Sequence, residues 1–407
     1  VSRLFVLGSG GRVFREYALR AIAQQADIIL INDAEPTWER AYLADWAPAD
    51  LTDHQAVLAA IGGIAADGLL TYDERYVELA ALLGEERGFI GPSRAAVHAA
   101  KDKTVLRAKM DAAATAPVRF AVAHSLAEAY AALETTGLPA VFKPRALGGS
   151  AGVRLVSTVE HVAGAFEDAT TARVGSTKSR YDGVLIEEYV DGPEFSVDSV
   201  TANGVTTPLV VAEKHTAFAP YFEEVGHVVP QAPGSLPPEA LDLVCQAHAI
   251  AGLDNVVSHA EVRIGRHGPR LIELNARLGG DLIPYLGQLA YGVDLPGAAA
   301  QIALGRAPTT KQQWSAAAAA QFIYPEYDMR FESAGLRQDQ TAYPGLDVFE
   351  VLAQPGQEVM LPPRRYMSRL AAIVVSGASR MQCQESLGLV VADVVVKAAR
   401  LSPESEG

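Results

Sequence analysis

Residues 3–87 alternate strand and helix signals, and this order limits the folds open to the chain. "RLFVLG" reads as a strand, "GSGGR" as a turn and "VFREYALRAIAQQ" as a helix. "ADIILIN" and "DGLLTY" are second and third strands, followed by the helical "DERYVELAALLGEE". A parallel return needs a crossover long enough to hold a helix, so the alternation predicts a doubly wound α/β unit. The glycine turn invites a nicotinamide-dinucleotide reading, and with it a reductase. However, "GSGGR" has only G-x-G-G, without the third glycine at its spacing, and Asp33 closes the next strand. Plain α/β geometry is the stronger account.

Beyond this unit, "RAAVHAAKDKTVLRAKMDAAA" is a helical connector, and "TAPVRF" restarts the chain as a strand. These signals divide the chain into 1–115, an N-terminal α/β domain; 116–190, a lobe with a glycine loop; 191–300, a strand-rich lobe; and 301–407, a smaller α+β lobe. In the last, "RLAAIVVSG" reads as a strand and "ADVVVKAAR" as a helix. At 407 residues with 49% hydrophobic content, several cores are available. The net charge of −14 argues against nucleic-acid or anionic-membrane partners. Two cysteines, Cys245 and Cys383, make no disulfide framework or zinc site and read as buried thiols. The apolar run at the start is short for a signal peptide, and no stretch has the length a bilayer needs. A cytoplasmic location is the default expectation.

The stretch "HAEVRIGRHGPRLIELNARLGG" (259–280) carries charges where core strands are expected. A hairpin centred on His267 sets Ile264 against Arg270 and Glu261 against Glu273. Strand alternation then gathers Glu261, Arg263, Glu273, Asn275 and Arg277 on one face, and Val262, Ile264, Ile272 and Leu274 on the other. A solvated hairpin face is the ordinary account of such charges. Against it, opposed carboxylates are destabilising without a cation between them, and asparagine is a poor strand residue. Two carboxylates and an amide oxygen are hard donors suited to magnesium that also holds phosphate oxygens. Arg277 would sit beside a carboxylate or a transferring phosphoryl group.

Magnesium implies phosphates, and "LPAVFKPRALGGSAGVRLV" offers a cradle: Lys143 near a strand end, then a glycine loop whose N–H groups can approach oxygens closely. It is not a Walker A loop, and a flexible hairpin turn is its ordinary alternative. In "GVLIEEYVDGPEFSVDSV", Glu187 and Glu188 end a strand and Glu194 follows a turn, a spacing suited to an adenine edge and a ribose.

Taken in order, these pieces resemble the ATP-grasp superfamily over roughly residues 1 to 300, with "LIELNARLGGDLIP" the strongest single element. The resemblance implies an ATP-grasp fold: an N-terminal doubly wound α/β domain, a central two-lobed ATP-binding domain and a small C-terminal α+β lobe. It implies that Lys103 (with Lys101 as the alternative) and Lys143 contact ATP phosphates, and that Gly148, Gly149 and Ser150 form a closing loop. Glu187 and the backbone of Glu188, Tyr189 and Val190 would bind adenine, and Glu194 the ribose. Glu261, Glu273 and Asn275 would hold magnesium, as two ions, with Arg277 at the reacting carboxylate or acyl phosphate. Arg263 shares that face, either to bind a substrate carboxylate or to balance charge.

Within the superfamily, "FEEVGHVVPQAP" (222–233) is similar to a segment of L-amino acid ligases, and Glu224 and His227 are the matching positions. That likeness implies a carboxylate–amine ligase joining amino acids through an acyl phosphate, with Glu224 on a substrate and His227 as a candidate general base, Glu224 or solvent being the alternatives. A satisfied structural histidine is an equal account of His227. It also implies small-molecule carboxylate and amine partners and a homodimer. Other ATP-grasp chemistry, carboxylation or purine-type ligation, would use the same ATP site.

Overall fold

The computed structural model describes residues 1–175, 177–230, 236–313 and 315–401, so Gln231–Pro233 of the ligase-like segment lie outside the described residues. Two compact units emerge. The first comprises Val1–Pro117, Gly192–Ala212 and Ala232–Trp314; the second comprises Val118–Asp191, Glu213–Gln231 and Ser315–Gly407.

The first unit opens with a parallel sheet in which strand Arg3–Leu7 lies between Asp27–Asn32 and Gly68–Leu70. A further strand, Leu43–Pro48, pairs parallel to Asp27–Asn32 at the edge. Its sequence, LADWAP, lacks the apolar run of its neighbours because an edge strand is half exposed. Gly8 ends the first strand with φ +71°, and a Cβ there would lie 2.6 Å from the Tyr76 ring. The glycine turn is therefore required by packing as well as by its left-handed backbone.

The same unit carries the antiparallel strands Glu194–Ala202, Val256–Gly265 and Gly268–Asn275. One face of these strands packs on helices Arg94–Lys101, Lys103–Ala112 and Pro238–Ala251, through Val97, Leu106, Leu243, Val262 and Leu274 among others. The predicted helical connector is two helices, broken at Asp102. The Asp102 carboxylate caps the second by accepting from Thr104 N–H.

In the second unit, strands Phe120–Ala123, Val184–Glu188, Ala140–Pro144 and Arg154–Val156 form an antiparallel sheet in that order. It is backed by helices Leu126–Thr136 and Val162–Thr171 through Ala129, Phe142, Val162 and Ile186. Further along, Ala317–Ile323 pairs with both Glu223–Val229 and Ala371–Gly377. The expected helix over "ADVVVKAAR" is not formed. Helix Arg380–Asp393 precedes it, and Val394–Arg400 is a strand paired with Met329–Leu336. The valine run has the β-branched character that favours a strand, and it alternates half-buried with exposed positions. Among the described residues, no helix is long and apolar enough to cross a membrane.

Candidate active site

The hairpin forms, with Glu261 directly opposite Glu273. Its loop is tighter than expected, because the strands end at Gly265 and Gly268 and Ile264 faces Pro269 rather than Arg270. The register shifts between Glu261 and Val262, which makes Ile272 a bulged residue opposite no partner. Alternation therefore changes phase at the bulge. Leu271, and not Ile272, joins Val262 and Leu274 in the core. The bulge turns the Ile272 carbonyl to accept from Arg107 Nη2 at 3.3 Å.

The polar face is three strands wide. Glu194 pairs with Arg263; Ser196 pairs with Glu261, which pairs with Glu273; and Asp198 pairs with His259, which pairs with Asn275. Arg263 donates from Nε to Glu194 Oε2 at 2.7 Å, so its charge is balanced within the face. Glu261, Glu273 and Asn275 supply oxygen donors on adjacent strands, and the two carboxylates are like charges held at cross-strand distance. This donor set fits magnesium.

Cations border it. Lys103 Nζ lies 3.2 Å from Glu273 Oε1. Lys101 instead donates to the Glu74 carbonyl at 2.7 Å and lies 3.6 Å from the carboxylate of Glu74. Arg277 donates from Nε to Glu74 Oε2 and from Nη1 to the Leu278 carbonyl, each at 2.7 Å. Two directions of its planar fork are thereby fixed. Burial works against the charge of Arg277, but Glu74, then Glu273 and Glu261, outweigh it and raise its pKa.

His259 is buried and bonds through Nδ1 to Asp198 Oδ1 at 2.6 Å, while its Nε2 lies 3.5 Å from Glu261 Oε1. Burial pushes its pKa down, but Asp198 and then Glu261 push harder, and the result is a pKa of about 9. Glu74, Asp198 and His259 were not singled out from the sequence. The last two carried a usable signal, since they continue the alternation of Glu194 (through Ser196) and of Glu261 along their strands.

The second unit holds the other predicted residues. Lys143 and Glu187, on neighbouring strands and both buried, pair at 2.5 Å. The Glu188 carboxylate accepts from Arg119 N–H at 3.0 Å and Arg119 Nε at 2.8 Å. Glu188 and Tyr189 N–H groups donate to the carbonyls of Arg119 and Pro139. Those two N–H groups are committed within the unit. Gly148 leads a tight loop in which Gly149 and Ser150 have φ of +66° and +54°. Successive backbone N–H groups in such a bend make an anion-binding concavity. A Cβ on Gly149 would overlap Met367 Sδ at 2.3 Å.

His227 is fully buried, its Nε2 3.5 Å from Glu224 Oε2, and Lys214 Nζ lies 3.3 Å from Glu224 Oε1. Next to them, Tyr324 Oη donates to Glu223 Oε2 at 2.8 Å, and Arg369 Nη2 donates to the Glu224 carbonyl at 3.2 Å. Burial raises the Glu223 pKa. Lys214, Tyr324 and Arg369 come from distant segments and carry no local motif. Of the cysteines, Cys383 is buried as expected, whereas Cys245 is only half-buried, its thiol 3.7 Å from the Thr206 carbonyl.

Residues 136–285 match the family model of the ATP-grasp domain. Human carnosine synthase 1 is 27% identical over 333 residues, covering 75% of this chain and 40% of that protein. Alanine–anticapsin ligase of Bacillus subtilis is 24% identical over 260 residues, covering 59% of this chain and 54% of that protein. The chain thus spans about half, or less, of the length of these curated relatives. The crystal structure of an L-amino acid ligase from Bacillus licheniformis has the same fold, with a TM-score of 0.82 at 19% identity, covering 98% of this chain and 99% of that one.

Proposed function

We propose that the protein is an ATP-dependent carboxylate–amine ligase that joins amino acids with release of ADP and phosphate. The observation that carries this reading is the pair Glu261 and Glu273, opposed on one face with Asn275, with Lys103 and Arg277 at its border. The ligase names of the relatives and the shared fold support the reaction class.

Glu261, Glu273 and Asn275 hold magnesium, as two ions, which when bound neutralises phosphate charge and aligns the transfer. Lys103 and Lys143 contact phosphate oxygens, and the loop Gly148–Ser150 covers them with backbone N–H groups and keeps water out. Glu187 and the 188–190 segment line the adenine, and Glu194, held by Arg263, meets the ribose. A carboxylate is a poor electrophile at neutral pH. Moving the γ-phosphoryl group onto it creates a leaving group that the amine displaces. Arg277, oriented by Glu74, stabilises the oxyanion of that stage. Glu224 binds the amino group of a substrate. His227, buried against Glu224, positions that carboxylate or takes the amine proton. The protein works in the cytoplasm as a homodimer.

A phosphate-release screen of amino acids, singly and in pairs, with ATP and magnesium tests the proposal. The expected result is release only with a defined carboxylate and amine together, abolished by Glu273→Ala with the fold retained. Turnover persisting in that variant refutes the metal assignment.

A further inference from the structure

We propose that Asp198 and His259 form a buried pair that positions Glu261, making both of them positioning residues for the magnesium–nucleotide site. The inference rests on the reading of Glu261 as a metal donor. Asp198 is 0% exposed and His259 4%, and they stand side by side in the ladder of strands Glu194–Ala202 and Val256–Gly265. The 2.6 Å contact from His259 Nδ1 to Asp198 Oδ1 fixes the ring, which aims Nε2 at Glu261 Oε1, 3.5 Å away. At that length the second contact is electrostatic more than a formed hydrogen bond. It still biases which way the carboxylate turns, as partners behind a metal ligand do elsewhere.

Two further observations single out this spot. Asp198 Oδ2 and Ser196 Oγ are buried with no hydrogen-bond partner among the described residues, and Ser196 is paired in register with Glu261 itself. Buried polar atoms of this kind cost stability, and apolar residues of similar volume would fill the same space with no such loss. The backbone also makes room for the pair. A Cβ on Gly279 would lie 2.9 Å from Asp198 Oδ2 and 3.0 Å from His259 Nδ1. Asp198 and His259 are not among the oxygen donors assigned to the metal, so their contribution acts through Glu261, the carboxylate that His259 Nε2 approaches.

The test compares wild-type protein with His259→Gln and Asp198→Asn in two readouts. One is the affinity for Mn²⁺–ADP, measured by titration calorimetry and by the electron paramagnetic resonance signal of free Mn²⁺. The other is the thermal midpoint without ligand. Positioning predicts that both variants bind Mn²⁺–ADP about tenfold or more weakly, whatever happens to the midpoint. Should His259→Gln fail to fold, the Asp198→Asn/His259→Asn double variant, which leaves no unpaired carboxylate, carries the measurement. Unchanged Mn²⁺–ADP affinity alongside a lowered midpoint would show a packing role only and overturn the proposal. If the wild type does not bind Mn²⁺–ADP, the ATP reading fails first, and this inference with it.

Discussion

Gly279→Ala is a sharp probe of the packing around the Asp198–His259 pair of the polar face. The added methyl would meet Asp198 Oδ2 at 2.9 Å, Asp198 Oδ1 at 3.0 Å and His259 Nδ1 at 3.0 Å. All three atoms belong to a buried, bonded pair, so none can swing aside without breaking the 2.6 Å contact. The backbone cannot easily retreat either, because the Gly279 carbonyl accepts from Arg15 Nη1 at 3.1 Å. Overpacking of this kind costs about 1–3 kcal/mol. At about 2–4 °C per kcal/mol for a domain of this size, the midpoint should fall by roughly 2–12 °C. The neighbouring Gly280 is the control, since a Cβ there meets nothing within 4 Å. Gly280→Ala keeps only the gain from a less flexible unfolded chain, about 0.4–1 kcal/mol. Calorimetric melts of the two variants, without ligand, read the difference directly. Equal midpoints for both would refute the claim that the Asp198–His259 pair is rigidly packed against the backbone.

Three further outcomes follow from the same geometry. Glu74→Ala frees the Arg277 fork and should lower ligase turnover about 10- to 100-fold with little change in the KM for ATP; unchanged turnover in the phosphate-release assay removes Glu74 from the site. His248 is buried between the Val244 carbonyl and Ser258 Oγ, and burial depresses its pKa below 6.5. As pH falls below about 6.5 the unfolded chain takes up a proton that the folded imidazole refuses, so its stabilising contribution is present above that pH and lost below it. Denaturant melts from pH 7 to 5 should show a shallower decline in His248→Gln than in the wild type, and parallel slopes would contradict the assignment. Burial raises both thiols, and Cys383 is fully enclosed. A disulfide reagent at pH 8 should therefore leave Cys383 unlabelled in the native protein and label it after denaturation; native labelling of Cys383 would refute its burial.

Much of the candidate site was legible because strand alternation is strict. Glu261, Glu273 and Asn275 shared a face on paper and do so in the fold. The phase change at Ile272 was not legible, because the bulge is matched to Arg107, a residue far off in sequence. The same reason hid Glu74, which meets Arg277 across 203 positions. The choice between Lys101 and Lys103 turned on helix register, and the break at Asp102 sends the two lysines to different carboxylates. The C-terminal valine run reads as a helix on its own, whereas its pairing with Met329–Leu336, distant in sequence, decides for a strand.

The division of the chain into two units has a consequence for synthesis and for dissection. Each unit is assembled from three separated lengths of chain, and the polypeptide passes between them five times. The first unit cannot be complete until Trp314 has been made, and the second waits for the segment beyond Ser315. The stretch 136–285, matched by the ATP-grasp model, coincides with neither. Excised as a fragment, it would leave strand Val256–Gly265 its hairpin partner but take away the Arg94–Lys101 and Lys103–Ala112 helices that cover their apolar face. A fragment limited to that stretch therefore cuts through both units, and split variants should avoid separating their interleaved segments.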